Sequence, residues 1–230
     1  MTGIIGAMQS EINALCEKMT LKQEIKICDL IFYKGKIFEQ EVVIAKCGVG
    51  KVNAALCTQI LISNFKPERI INTGIAGATG KDLKIYDFVV STDAVYHDFD
   101  ATYFGEYKLG QVPGLPQSFT ADSALVKLIL KVFEKTDFSK EHSIQAGTIA
   151  SGDQFISDSE KKNFIIKNFA PKCVEMEGAA IAHTCYKNQI PFVIIRCMSD
   201  CADNNTETVY DEEKTALLSS NFLLKILKEM

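Results

Sequence analysis

The chain has 230 residues, 47% of them hydrophobic and 23% charged, with a formal net charge of -4 at neutral pH. A chain of this length can bury one large core, so a single domain over residues 1–230 is expected. The acidic balance, with its lysines scattered and not clustered, excludes nucleic acid and anionic membrane surfaces as expected partners.

No apolar run is long enough to span a bilayer, and the start MTGIIGAM lacks the basic leader of a secretion signal, so a cytoplasmic location is expected. The eight cysteines sit in apolar segments such as Ile44–Cys47 and Ile195–Cys197, the pattern of reduced thiols that fill a core. Cys197 and Cys201 bracket Asp200, but no second cysteine or histidine pair accompanies them, so no metal site is expected.

In chain order, the first predicted strand, Gly3–Ala7, leads into Met8-Gln9-Ser10-Glu11. A second, Val42–Cys47, runs into Cys47-Gly48-Val49-Gly50-Lys51. This is not a nucleotide-triphosphate loop: Ala45 stands where a Walker motif needs glycine, and Val52 where Ser or Thr would hold magnesium. Asn53 likewise breaks the dinucleotide fingerprint, which leaves a tight glycine turn before a helix with Ala54, Cys57, Thr58 and Leu61 on one face. Arg69–Thr73 is the next strand, and the glycine-rich Asn72–Ala78 reads as a turn beyond it.

Asp87–Ser91 is a strand, and the irregular stretch from Asp98 to Ser118, with Pro113 and Pro116, reads as a functional excursion. Leu125, Leu128, Ile129 and Val132 mark a helix face. The strand Ser143–Ile149 precedes Ser151-Gly152-Asp153-Gln154-Phe155-Ile156, where an aromatic ring and free backbone groups suit a planar heterocycle. Ser157-x-x-Glu160 reads as a capping box opening another helix. After the strand Lys172–Val174, the stretch VEMEGAAIAH sets two acids around Met176 at a strand–helix junction. Pro191–Cys197 leads into Arg196-Cys197-Met198-Ser199-Asp200, and a final helix buries Leu223, Ile226, Leu227 and Met230.

This alternation predicts an α/β fold with helices on both faces of a mostly parallel sheet. Ligands in such sheets bind beyond the carboxyl ends of the strands. Helix-dipole pairing and capping give each acid a purely structural alternative. Glu11, Glu177 and Asp200, however, each follow a predicted strand and converge on one rim. Three acids with Arg196 and no metal signature point to carbohydrate or nucleoside chemistry, in which carboxylates bind hydroxyls, activate water and protonate a leaving group.

The segments GIIGAM with Glu11, GVGK, NTGIAGA, SGDQF, VEMEGAAIAH and RCMSDCAD resemble, in order and spacing, bacterial methylthioadenosine/S-adenosylhomocysteine nucleosidases, from Gly3 into the last helix. The resemblance implies a three-layer α/β/α sandwich with a central mixed, mostly parallel sheet, in a homodimer without metal or organic cofactor. It implies hydrolysis of the bond between adenine N9 and C1′ of a 5′-thio-substituted ribose. Asp200 would be the general acid at adenine N7. Glu11 would activate water, with Arg196 helping to hold it.

By the same resemblance Glu177 would accept the ribose hydroxyls, with Met176, Glu175 and Ser199 in the same substrate shell. Phe155 would stack near adenine and the Ile156 backbone would read its edge. Met8, Val49 and Tyr210 would line the alkylthio pocket. Ala101, Phe104 and Pro113, in the 98–113 excursion, would reach the partner's site. Ile75 stands where several members carry serine, and Tyr210 where phenylalanine is common. A phosphorylase of the same superfamily is the nearest rival, but the chain has only two arginines, Arg69 and Arg196, from which to build a phosphate clamp. A nucleoside-binding protein without activity is the rival of a different class. The preferred 5′-substituent, among methylthioadenosine, S-adenosylhomocysteine, 5′-deoxyadenosine and 6-aminofutalosine types, stays open.

Overall fold

The computed structural model describes residues 1–80, 82–202 and 211–230. A buried strand β1 (Thr2–Gly6) leads into α1 (Gln9–Lys18), followed by β2 (Thr20–Ile27), β3 (Leu30–Ile37), β4 (Gln40–Lys46) and α2 (Lys51–Phe65). The middle of the chain forms β5 (Arg69–Ala78), β6 (Phe88–Tyr96), a short 3-10 turn at Thr102–Phe104, β7 (Ser118–Thr120), α3 (Ser123–Lys135) and α4 (Phe138–Glu141). It ends with β8 (Ile144–Ser151), α5 (Ser159–Phe169), β9 (Cys173–Glu175), α6 (Gly178–Asn188), β10 (Phe192–Asp200) and α7 (Glu212–Glu229).

The sheet runs β2-β3-β4-β1-β5-β9-β8-β6-β10, and β10 returns to pair with β5. Five strands therefore close into a barrel, while β1, β4, β3 and β2 extend from it as a wing. The central strands β4, β1, β5 and β10 are parallel to their neighbours in that series. The antiparallel pairings lie in the β2–β3–β4 wing, at β7, and where β9 and β6 complete the barrel.

Successive residues of a strand point to opposite faces, and the sequence supplies apolar pairs to match. Ile5, Val43, Ile70 and Ile194 pack toward Cys57 and Leu61 of α2 and Ile181 and Cys185 of α6. Their neighbours Ile4, Ile44, Ile71 and Ile195 pack on the other side toward Ile12 and Leu15 of α1, Ile129 of α3, and Phe222, Leu223 and Ile226 of α7. This is the three-layer α/β/α arrangement. Of the helix faces read from the sequence, Leu128 and Met230 lie at the partly buried margin. Among the described residues no helix is long and apolar enough to cross a membrane.

Four features differ from the sequence reading. The β2–β3 hairpin was not anticipated, because β2 (TLKQEIKI) is mostly exposed and carries no apolar run. Polar, lysine-bearing strands of this kind suit a sheet edge. Three-residue β7 is likewise too short to read from periodicity. The capping box at Ser157 is absent: α5 starts one residue later, with Asp158 accepting the Lys161 N–H at 2.9 Å, so Glu160 falls one place short of the reciprocal position. Finally, Asn72–Ala78 is not a turn but the second half of β5, paired with β10 and β9 along its length.

Candidate active site

The glycines of that half-strand follow from what lies against it. A Cβ on Gly74 would meet the Glu11 carboxylate and stand 2.8 Å from Arg196 Nη1; one on Gly77 would stand 2.8 Å from Asp200 Oδ1. Three ionic side chains, Glu11, Arg196 and Asp200, can approach the strand closely only because nothing projects there.

Glu11 is the third residue of α1, where an acid can reach back to the free N–H groups of the helix start. Its Oε2 accepts from the Ala7 and Met8 N–H groups at 2.6 and 3.0 Å, and Oε1 from the Ile75 N–H at 3.0 Å. Burial pushes its pKa up, opposed by Arg196 and these N–H donors. Ser220 Oγ donates to its backbone carbonyl at 2.6 Å, tying α1 to α7. The Ile75 contact comes from backbone, so it does not depend on which side chain occupies position 75.

Asp200 ends β10. Ser199 Oγ donates to its Oδ2 at 2.8 Å and the Ala202 N–H to Oδ1 at 2.7 Å, which fixes the plane of the carboxyl group.

Glu175 and Glu177, two residues apart, have different surroundings. Glu175 is buried and accepts from Ser151 Oγ and Arg196 Nη2, from the Glu177 N–H at 3.1 Å and from the Gly178 N–H at 2.7 Å. Burial would raise its pKa, but Arg196, Ser151 and the Gly178 N–H outweigh it and hold the carboxyl below its ordinary value. Glu177, at the N-cap of α6, accepts from the Gly50 N–H at 2.7 Å through Oε1, and no described residue donates to its Oε2. Burial and the adjacent Glu175 carboxylate push its pKa up to about 7, against Arg196 and the Gly50 N–H. One carboxylate is thus committed to protein donors, while the other keeps an oxygen for a ligand.

Arg196 is 2% exposed and sits behind this wall, its Nη2 also donating to Asn72 Oδ1 at 2.6 Å. Burial opposes its charge, yet Glu175, Glu11 and Glu177 together raise its pKa. Asn72 is held in turn by donating to the Ile5 carbonyl at 2.8 Å.

A single cleft is lined by Glu11, Asp200, Met8, Val49, Phe155, Ile156, Glu175, Met176, Glu177 and Ser199, ten of the residues expected from the sequence. Phe155 is 66% and Val49 49% exposed at the mouth, while Ile156 is buried. Arg196 is not in the lining. Ala101 is buried elsewhere, and Phe104 and Pro113 are exposed outside this chain's own cleft. Tyr210 lies outside the described residues. Ala7, Ile75, Ala76, Gly77, Gln154 and Val174 complete the lining without having been expected there.

Three supporting residues were also missed: Asn72, Ser151 and Gly50. The first had a legible signal, a lone amide in the apolar run RIINTG, where a buried polar group needs a partner. Among the described residues no group of three His, Cys, Asp or Glu side chains is placed to hold a metal ion.

Residues 2–230 match the family model of the phosphorylase superfamily. A 5′-methylthioadenosine/S-adenosylhomocysteine nucleosidase from Staphylococcus carnosus is 46% identical over 100% of both chains. The crystal structure of the nucleosidase of that name from Neisseria meningitidis, in complex with methylthio-immucillin-A, superposes with a TM-score of 0.94 at 38% identity, covering 100% of this chain and 99% of that one. A futalosine hydrolase from Helicobacter pylori gives 0.92 at 34% identity, covering 100% and 97%. Full-length coverage at these identities means that the chain belongs to the phosphorylase superfamily and, within it, to the 5′-methylthioadenosine/S-adenosylhomocysteine nucleosidases.

Proposed function

We propose that the chain hydrolyses the N-glycosidic bond of 5′-methylthioadenosine and S-adenosylhomocysteine, releasing adenine and the thioribose. The observation that carries this reading is one cleft lined by Glu11, Glu177 and Asp200 together. Asp200, oriented by Ser199 and the Ala202 N–H, protonates adenine N7, so that the C1′–N9 bonding electrons leave on a neutral base. Glu11, fixed by three backbone N–H groups, takes a proton from the water that attacks C1′. The free oxygen of Glu177 accepts from the ribose hydroxyls, and a charged acceptor does so more strongly than a neutral one. Glu175, in the cleft wall, and Arg196, behind it, hold Glu177 and the floor of the cleft.

Water is favoured over phosphate by the two arginines. Arg196 is buried outside the cleft lining, where its Nη2 donates to Asn72 and Glu175. Arg69 stands at the opposite end of β5 from the cleft, 3.5 Å from Glu68. The test is adenine release from methylthioadenosine in phosphate-free buffer and with phosphate added, with the sugar product identified by mass spectrometry. Free methylthioribose at a phosphate-independent rate is expected; a sugar 1-phosphate formed only with phosphate refutes the reading.

The working form is a homodimer in which the 98–113 excursion reaches the partner's cleft. Its support is Tyr103 and Phe104, 94% and 68% exposed at the tip and outside their own cleft. Sedimentation of the parent and of Phe104→Ala, with KM measured alongside, tests it: a monomeric parent with full activity refutes it. The cytoplasm is the expected compartment, in keeping with buried free thiols at Cys47, Cys57, Cys173, Cys185 and Cys197.

A further inference from the structure

Three loops far apart in sequence meet beside the cleft: the 48–50 glycine turn, the start of the excursion at Asp98, and the loop carrying Asp153. The Lys51 ammonium, the Asp98 and Asp153 carboxylates and the backbone N–H groups of Asp153 and Lys51 form a closed ring. Lys51 Nζ lies 2.6 Å from both carboxylate oxygens of Asp98. Asp98 Oδ2 accepts the Asp153 N–H at 2.9 Å, and Asp153 Oδ1 accepts the Lys51 N–H at 2.8 Å. Lys51 Nζ also stands 3.6 Å from Asp153 Oδ2 and 5.4 Å from the centre of the Tyr96 ring. The Lys51 and Asp98 side chains are only 20% and 13% exposed, so the pair is partly desolvated and stronger than a surface ion pair.

None of the three lines the cleft, yet the ring is one residue from it. Gly50 immediately precedes Lys51, and its N–H is the donor to Glu177 Oε1. Gly50 adopts a φ of +97°, accessible in practice only to glycine, and a Cβ there would stand 3.1 Å from Asp153 Oδ1. On the other side, Gln154 and Phe155 follow Asp153 directly and line the cleft. Asn53 Nδ2 closes the same turn by donating to the Val49 carbonyl at 2.7 Å.

We propose that Lys51, Asp98 and Asp153 are positioning residues: their ring holds the Gly50 N–H on Glu177 and so sets recognition of the substrate's ribose diol. The inference rests on the reading of Glu177 as the diol acceptor. An unclasped turn leaves Glu177 without its described donor and free to swing away from the sugar, while Asp200 and Glu11, on other elements, stay in place. Loss therefore falls on substrates that carry the hydroxyls.

The experiment measures kcat/KM for methylthioadenosine and its 2′-deoxy analogue with the parent, Lys51→Met, Asp153→Ala and Glu177→Gln. Asp153 is about half exposed, so its truncation keeps the fold should Lys51→Met lose it. The parent's preference for the ribose compound is expected to narrow on the order of 10-fold in all three variants, through KM more than kcat. A role in stability alone would lower both substrates equally and leave the preference intact. That result in Lys51→Met and Asp153→Ala, with the preference narrowed in Glu177→Gln, overturns the clasp. A preference intact in Glu177→Gln as well overturns the diol reading and the clasp with it.

Discussion

Replacing Glu177 with glutamine tests the electrostatics of the cleft in the absence of substrate. Glu177 is 6% exposed, and burial together with Glu175 lifts its carboxyl from 4.5 to about 7. Between those pH values the folded chain keeps a proton there that the unfolded chain has released. Stability from this group is therefore full below 4.5 and is lost as pH rises through about 7. Each tenfold difference in proton affinity is about 1.4 kcal/mol, so ionising Glu177 costs the folded state about 3 kcal/mol. Glutamine keeps a carbonyl for the Gly50 N–H and cannot ionise.

Urea unfolding of the parent and Glu177→Gln at pH 5 and pH 8 reads this directly, because titrations common to both proteins cancel in the difference. The variant should gain about 2–3 kcal/mol on the parent between the two pH values, since the unfolded group is already largely ionised at pH 5, or roughly 5–10 °C in Tm for a chain of this size. A gap that stays constant within about 0.5 kcal/mol would refute the reasoning: Glu177 would then be ionised at no cost, and the contrast with Glu175 would be void.

Asp200→Asn should remain folded and lose on the order of 10²–10⁴-fold in turnover, measured by adenine release; Glu11→Gln should also fold and bind an adenine nucleoside but fail at saturating substrate. Gly74→Ala puts a methyl group against Glu11 and Arg196 and should cost about 1–3 kcal/mol in urea unfolding with a loss of activity. Asp122→Ala, far from the cleft, removes the cap that accepts the Ala124 and Leu125 N–H groups, and should cost about 1 kcal/mol while leaving kcat/KM unchanged.

The sequence alone determined the layered α/β arrangement and the rim on which the acids gather. Apolar pairs such as Ile4-Ile5 and Ile70-Ile71 can be satisfied only by strands covered on both faces, and residues placed after parallel strands must emerge at one end of the sheet. The order of six short motifs then named the family. What the sequence did not carry were features decided by neighbours distant in the chain. The β2–β3 hairpin pairs through backbone groups, which polar residues supply as well as apolar ones. The glycines of Asn72–Ala78 read locally as a turn, but tertiary contacts make them a strand whose missing side chains admit Glu11, Arg196 and Asp200.

The division of labour between Glu175 and Glu177 was equally illegible. Both are glutamates at one strand–helix junction. Which of them is spent and which stays free depends on Arg196, Ser151 and Gly50, lying 21, 24 and 127 residues away in sequence. Local sequence sets which groups exist and which way a strand or helix points them. Only the folded chain sets how many donors and charges surround each carboxylate, and that count decides its protonation and its use.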